Sequence, residues 1–261
     1  MKSSLAISLL LLAHVCQSQY VVTDSIKVGA VENMSVDWLG NIYLADASGN
    51  IDKYSVTGER LARFSPSKKG KITVLEAWNP LKIFVFYAGL QQYAFLDRFL
   101  VNDNRFGFGD ISNFVGMSTM SLDNNIWLVD YVDFSLKKYN INFNQIEINR
   151  PFDLVLDPEN YDITYMREYQ NLLFVSDNKT GILVFDNLGN YLKTIKGIGI
   201  QYFNFNGDQI HYILNHQLVQ QNIYSGAENK IQLADNIKRA IIFKNYHFYL
   251  SDIWLKIAIK Q

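Results

Sequence analysis

Four aspartates occupy the same place in four copies of one short pattern: Asp46 in NIYLAD, Asp130 in NIWLVD, Asp177 in LLFVSD and Asp252 in HFYLSD. A ring of carboxylates at the mouth of a channel would offer hard oxygen ligands to a calcium ion. A residue that returns in most copies of a repeat more often serves the repeat itself. Here each Asp would accept backbone N–H groups in the turn that follows its strand, and that is the reading adopted. His211, His216 and His247 carry less: His211 and His216 lie five apart across a strand and its turn, face different directions and lack a third ligand, so no zinc site is assigned. No GxSxG elbow, P-loop or GxGxxG leads into a helix, and Gly107-Phe108-Gly109 reads as a turn. Glu32, Asn125 and Asp130 would have to converge to make a calcium-dependent, lactonase-like hydrolase, and their spacing gives that no support. No catalytic, cofactor-binding or metal-ligating residue is therefore assigned, and the chain is expected not to be an enzyme.

The elements that carry these residues set the fold. KIFVFY at 82–87 and QIHYIL at 209–214 are degenerate copies of the same pattern, giving six copies at intervals of roughly 37 to 47 residues. That period, with several strands in each unit, predicts an all-β fold, a six-bladed β-propeller. In the first unit the strands fall at 34–38, 42–45, 51–55 and 60–65; in the fourth, at 163–167, 172–176, 181–185 and 191–196. The second unit has a poor last strand near 99–101, followed by a long connection at 102–114; a further connection spans 151–161. The sixth unit has only three strands, while an orphan strand at 20–28 precedes the first. Docking the orphan as the outer strand of the last blade closes the ring and removes an exposed sheet edge.

In a propeller the a–b and c–d turns emerge on one face. Here the a–b turns bring Trp38, Trp78-Asn79-Pro80, Met166-Arg167-Glu168-Tyr169 and Asn245-Tyr246. Trp, Tyr, Met and Arg are the types enriched at protein interfaces, whereas a turn needing only solubility would hold Asn, Gly, Asp and Lys. The competing reading is that Trp38 and Trp78 fold back to fill space between blades. The protein-binding candidates are Trp38, Trp78, Asn79, Pro80, Met166, Arg167, Tyr169 and Tyr246.

Residues 1–18 read as a cleaved signal peptide: Lys2, an apolar run at 5–13 too short to span a bilayer, and small residues at 16 and 18. Lipidation at Cys16 is disfavoured by Val15 before it. Cleavage would leave 19–261 as one propeller domain, without the chain's single cysteine and without a membrane span. With 24 basic and 25 acidic residues, no nucleic-acid partner is expected.

Several segments together carry a resemblance: SVDWLGNIYLAD (35–46), IDKYSVTGERLARFS (51–65), WNPLKIFVFY and LQQYAFLD (78–97), and GILVFDNLGNYLKTI (181–195). They resemble a family of small exported β-propellers of Bacteroidetes, the family of the plug subunit of the type 9 secretion translocon. The resemblance implies a periplasmic, non-enzymatic binding protein. It would be a monomer within a hetero-complex at an outer-membrane secretion barrel or other envelope protein, with no catalytic residues to transfer and no cofactor. A metal-dependent hydrolase and a carbohydrate- or peptide-binding propeller are the alternatives.

Overall fold

The computed structural model describes residues 20–101, 104–109 and 111–260, so the expected leader lies outside the described residues. Within them the chain forms six four-stranded antiparallel sheets, five of them meanders of consecutive strands, arranged as the six blades of a β-propeller. Blade 1 comprises Asn33–Val36, Ile42–Ala45, Ile51–Tyr54 and Arg60–Phe64; blade 2, Val74–Glu76, Ile83–Tyr87, Gln92–Leu96 and Arg105–Gly107. Blade 3 comprises Val115–Met120, Ile126–Asp130, Ser135–Asn140 and Gln145–Pro151; blade 4, Ile163–Tyr169, Leu172–Asp177, Gly181–Asp186 and Tyr191–Lys196. Blade 5 comprises Phe203–Asn206, Gln209–Leu214, Gln217–Asn222 and Glu228–Gln232. Blade 6 takes Arg239–Phe243, Tyr246–Leu250 and Trp254–Lys260 from the end of the chain and Tyr20–Lys27 from its beginning.

That last arrangement is the expected closure. Tyr20–Lys27 runs antiparallel to Trp254–Lys260, from Tyr20 opposite Lys260 to Lys27 opposite Trp254, with one bulge between Val22 and Asp24. The inner three strands of the blades are largely buried because both faces of each sheet pack on neighbouring blades; the outer strands, such as Gln145–Pro151, are mostly exposed. Trp127, Phe84, Phe86, Phe174 and Phe203 are fully buried in the packing between blades 2 and 5. This is where the chain's aromatic surplus goes, and broad rings suit pleated surfaces.

The outer strand of blade 2 departs from expectation. Residues 97–101 form a turn in which Asp97 accepts from the N–H groups of Phe99 (2.9 Å) and Leu100 (3.0 Å), and Leu100 has φ of 59°. The strand lies later, at Arg105–Gly107, and the expected Gly107-Phe108-Gly109 turn is anchored there. Phe108 is buried, 4.8 Å from the Tyr93 ring and 6.4 Å from that of Tyr139 in blade 3.

One turn unit, Asp-x-x-Gly-Asn, recurs at 37–41, 46–50 and 186–190. In each, the Asp N–H donates to the Asn carbonyl and the Gly N–H to the Asp carbonyl. The carboxylate of Asp46 accepts from the N–H groups of Ser48 (2.8 Å) and Asn50 (3.0 Å) and from the Asn50 amide (2.7 Å). Although burial works to raise it, these bonds from Asn50 and Ser48 hold the Asp46 carboxyl below its ordinary range. Gly49 has φ of +85°, and a Cβ there would lie 2.4 Å from the Gly70 carbonyl oxygen, so glycine is required on both counts.

Candidate functional site at the channel mouth

The repeated aspartates do not form a ring of free ligands. Asp46 caps its turn as above. Asp130 accepts from the Val132 N–H (2.8 Å) and the buried Lys137 ammonium (2.7 Å). Asp177 accepts from the N–H groups of Asp162 (2.6 Å) and Thr180 (2.9 Å). Asp252 differs: it is exposed and paired with Lys238. The hydrolase set is also dispersed. Asn125 and Asp130 flank opposite ends of one strand, and Glu32 sits on blade 1 beside Lys71.

At the centre of the ring, side chains reach from blade to blade. The Tyr202 hydroxyl donates to the Met34 carbonyl (2.9 Å), its ring lies 4.7 Å from that of Tyr165, and the Arg239 guanidinium is 4.8 Å above it. On the b–c side a polar cavity of about 210 Å³ contacts Glu32, Lys71, Tyr202 and Arg239. On the a–b side a larger cavity of about 400 Å³ opens among blades 1 to 4. Its walls include Trp38, Trp78, Met120, Leu122 and Tyr169, and its floor is Glu76, Arg167 and Glu168.

Alternation along the inner strand of blade 4 sends neighbouring charges to opposite sides. Arg167 turns toward blade 5, where its Nη1 donates to Asn204 (2.7 Å) and the guanidinium lies 5.6 Å from the Phe205 ring. Across the channel its Nε is 3.7 Å from Glu76. Glu168 turns toward blade 3 and accepts from the Ser121 hydroxyl (2.6 Å), the Trp127 indole (2.5 Å) and the Leu122 N–H (3.4 Å). Glu76 accepts from the Thr119 hydroxyl (2.5 Å). Burial raises the Glu76 carboxyl above its ordinary range, against the opposing pull of Arg167.

Of the sequence candidates, Trp38, Trp78, Asn79, Arg167 and Tyr169 all line this cavity. Trp38 is 40% exposed, and its N–H donates to the Trp78 carbonyl (3.1 Å), so the two turns are stitched together; Trp78 is half-buried and also packs on the core of blades 1 and 6. Met166 and Pro80 are buried and present no contact surface. Met166 alternates with Arg167 along its strand and points into the core, and Pro80 is buried within the Trp78-Asn79-Pro80 turn. Tyr246, on blade 6, is half-buried beside Phe248, with parallel rings 6.3 Å apart, and is away from the cavity. Glu76, Lys82, Met120, Leu122 and Glu168 also line the site without having been singled out by the sequence as binding residues. Their contribution depends on which blades meet at the mouth, which is a non-local property.

The a–b turns are joined around the face. Lys82 bonds to Asn124 (3.3 Å), Gln170 to Asp208 (3.1 Å) and Lys244 to Asn206 (3.1 Å), while Phe243 packs against Gly40. Large apolar residues project from the same face: Leu39, Leu81 and Leu122 from a–b turns, and Phe99, Phe143, Leu188 and Tyr224 from c–d turns.

No family model and no curated protein matches the chain. Its likeness is to solved propellers. The β-propeller domain of Cps50 (Swd1) from Myceliophteria thermophila aligns over 93% of this chain and 100% of its own, at 10% identity and a TM-score of 0.66. Virginiamycin B lyase from Staphylococcus aureus aligns over 93% and 100%, at 9% identity and a TM-score of 0.63. BamB from Moraxella catarrhalis aligns over 94% and 98%, at 11% identity and a TM-score of 0.55. At such identities the likeness shows the propeller fold. No helix among the described residues is long and apolar enough to cross a membrane.

Proposed function

We propose that the chain is a non-enzymatic, protein-binding β-propeller of the bacterial periplasm. It docks through its a–b face onto an outer-membrane secretion barrel or another envelope protein. The observation that carries this reading is the cavity on that face, with two tryptophans in its walls and the exposed Leu39, Leu81 and Leu122 in the a–b turns that bear its lining residues. Residues of these types, held in turns already bonded to one another, lose little conformational freedom on contact, which favours association. The role of plug at the periplasmic end of a secretion barrel rests on the family resemblance, and a rigid closed disc suits it.

The test is affinity capture from gently solubilised outer membranes with the tagged protein, comparing wild type with a Leu81→Asp/Leu122→Asp double variant. Both side chains are exposed, so folding should be kept. A large barrel protein recovered with wild type and depleted about tenfold with the variant supports the reading, since charges at the centre of an interface are strongly unfavourable. Equal recovery of any partner by both proteins would remove this face from the contact. Recovery of no envelope protein by folded, exported wild type would reject the binding role.

A further inference from the structure

The opposite mouth of the ring holds a guanidinium without an anion. Arg239 opens the inner strand of blade 6 and lines the polar b–c cavity of about 210 Å³. It also lines a smaller polar cavity of about 120 Å³, which shares Gln201 and Tyr202 with the first. The Tyr202 ring covers one face of the guanidinium at 4.8 Å. Among the described residues, none pairs with that guanidinium or accepts a hydrogen bond from it. Arg167, at the a–b mouth, bonds Asn204 and has its unpaired Nε enclosed; no nitrogen of Arg239 is enclosed in that way, so its donors are reachable. Burial presses the Arg239 guanidinium below its ordinary range, with Tyr202, Tyr165 and Glu32 pulling the other way. A guanidinium with one face on a ring still donates in its own plane.

Charge selects what those donors would take. The charged side chains lining the larger cavity are Lys71, Glu32 and Arg239. Lys71 and Glu32 satisfy one another at 2.8 Å, which leaves one positive charge in excess. The smaller cavity adds none, because its Lys238 is paired with Asp252 (2.5 Å). A cation would be repelled by Arg239, and a neutral group would leave that charge uncompensated. A phosphoryl group carries close to two charges near neutral pH and would set the surplus against Glu32. A carboxylate carries one charge and two oxygens in a plane, the pattern a guanidinium fork matches. Thr73, Thr164 and Gln201 add hydroxyl and amide groups to the walls. The space is smaller than ordinary ligand pockets, so it suits a small acid or the tip of a side chain.

We infer that the b–c mouth binds a carboxylate on Arg239, offered by a free small acid or by a protein chain. The site lies across the ring from the a–b docking face and does not rest on it.

The test uses the isolated protein in chloride-free buffer, with the backbone amide signals of Gln201, Tyr202 and Arg239 followed by NMR during titration. Acetate is the free acid, N-acetyl-glutamate α-amide presents a side-chain carboxylate, and N-acetyl-alanyl-alanine presents a chain end. Acetamide, chloride and inorganic phosphate are the controls. The expected result is saturable binding of a carboxylate, about tenfold or more tighter than any control. A peptide probe tighter than acetate assigns the carboxylate to a protein; acetate as tight or tighter assigns it to a free acid. Arg239→Gln should weaken the best carboxylate about tenfold or more. Should that variant not fold, two accessible positions serve instead. Glu32→Gln should tighten binding several-fold and Lys71→Gln should weaken it, because each changes the charge that the carboxylate meets. No saturation by any carboxylate overturns the inference. So does a control binding as tightly as the best carboxylate, or an affinity unchanged in every folded variant.

Discussion

At the residue scale, the aspartates that first suggest metal chemistry act as hubs of the turns. Asp37 is the most demanding case, and it is not one of the four that recur at strand ends. It is fully buried; its carboxylate accepts from the N–H groups of Leu39 and Asn41 (each 2.9 Å), the Asn41 amide (2.9 Å) and the Tyr43 hydroxyl (3.0 Å). Burial and then the neighbouring Asp37 push the Tyr43 phenol far above its ordinary range, so it stays protonated and remains a donor. Asp37→Ala would leave four donors without that acceptor in a turn that also carries Trp38. Hydrogen bonds to charged groups dominate such losses, so a destabilisation of about 2–4 kcal/mol is expected, measured by urea denaturation. Asp37→Asn should lose less, since an amide oxygen still accepts. An alanine variant within about 0.5 kcal/mol of wild type would contradict the role of turn hub.

At the element scale, the second strands of blades 5 and 6 each bury a histidine. His211 is 1% exposed, and its Nδ1 lacks a partner; His247 is 2% exposed, shares a hydrogen bond between Nδ1 and the Tyr249 hydroxyl (2.9 Å) and sits 4.1 Å from the Tyr20 ring of the closing strand. Burial, aided by the neighbouring His247, lowers His211 to about 3; burial, aided by Lys260, lowers His247 to about 4. Both folded values lie below the ordinary 6.5, so the unfolded chain binds more protons in acid. Their full contribution is present above pH ~6.5 and is lost as pH falls from there toward the folded values. Between pH 7 and 5 each should cost on the order of 1–2 kcal/mol of stability. Thermal unfolding followed by circular dichroism should show the fall, and a His211→Gln/His247→Gln pair should flatten it; an unchanged slope in the double variant would assign the acid sensitivity elsewhere. The strands bearing these histidines are legible in the sequence because each blade's second strand is an apolar run ending at a turn. Arg105–Gly107 is not, being three residues long with no alternation. The site is legible only in part for a related reason: Trp38, Trp78, Arg167 and Tyr169 stand out by type, but the pairing of Arg167 with Glu76, 91 positions apart in sequence (167 − 76), follows from ring closure and not from any local pattern.

At the scale of the whole molecule, everything at the a–b mouth depends on the ring remaining closed. Inner strands from four different blades set the distance between Glu76 and Arg167 and the width between Trp38 and Tyr169. The closure joins the two ends of the chain by a single strand pairing, Tyr20–Lys27 on Trp254–Lys260. Ile26 also packs with the core shared by blades 1 and 6, so the closing strand contributes apolar burial as well as ladder bonds. A chain lacking residues 20–27 would leave Trp254–Lys260 as an open edge with no covering strand, a ready template for pairing with other chains. Its melting temperature should fall by roughly 10 °C or more, with a rising tendency to aggregate. A synthetic peptide of residues 20–28 added in trans should restore stability in a concentration-dependent way, because it binds only the folded ring. The same peptide should restore the shifts of the Trp38 and Trp78 indole signals toward those of the intact protein, since their spacing is set by the closed ring. A truncated chain as stable as the full one and indifferent to the peptide would mean that blade 6 stands on three strands. In that case the order of the a–b mouth would have to come from the bonds between its turns alone.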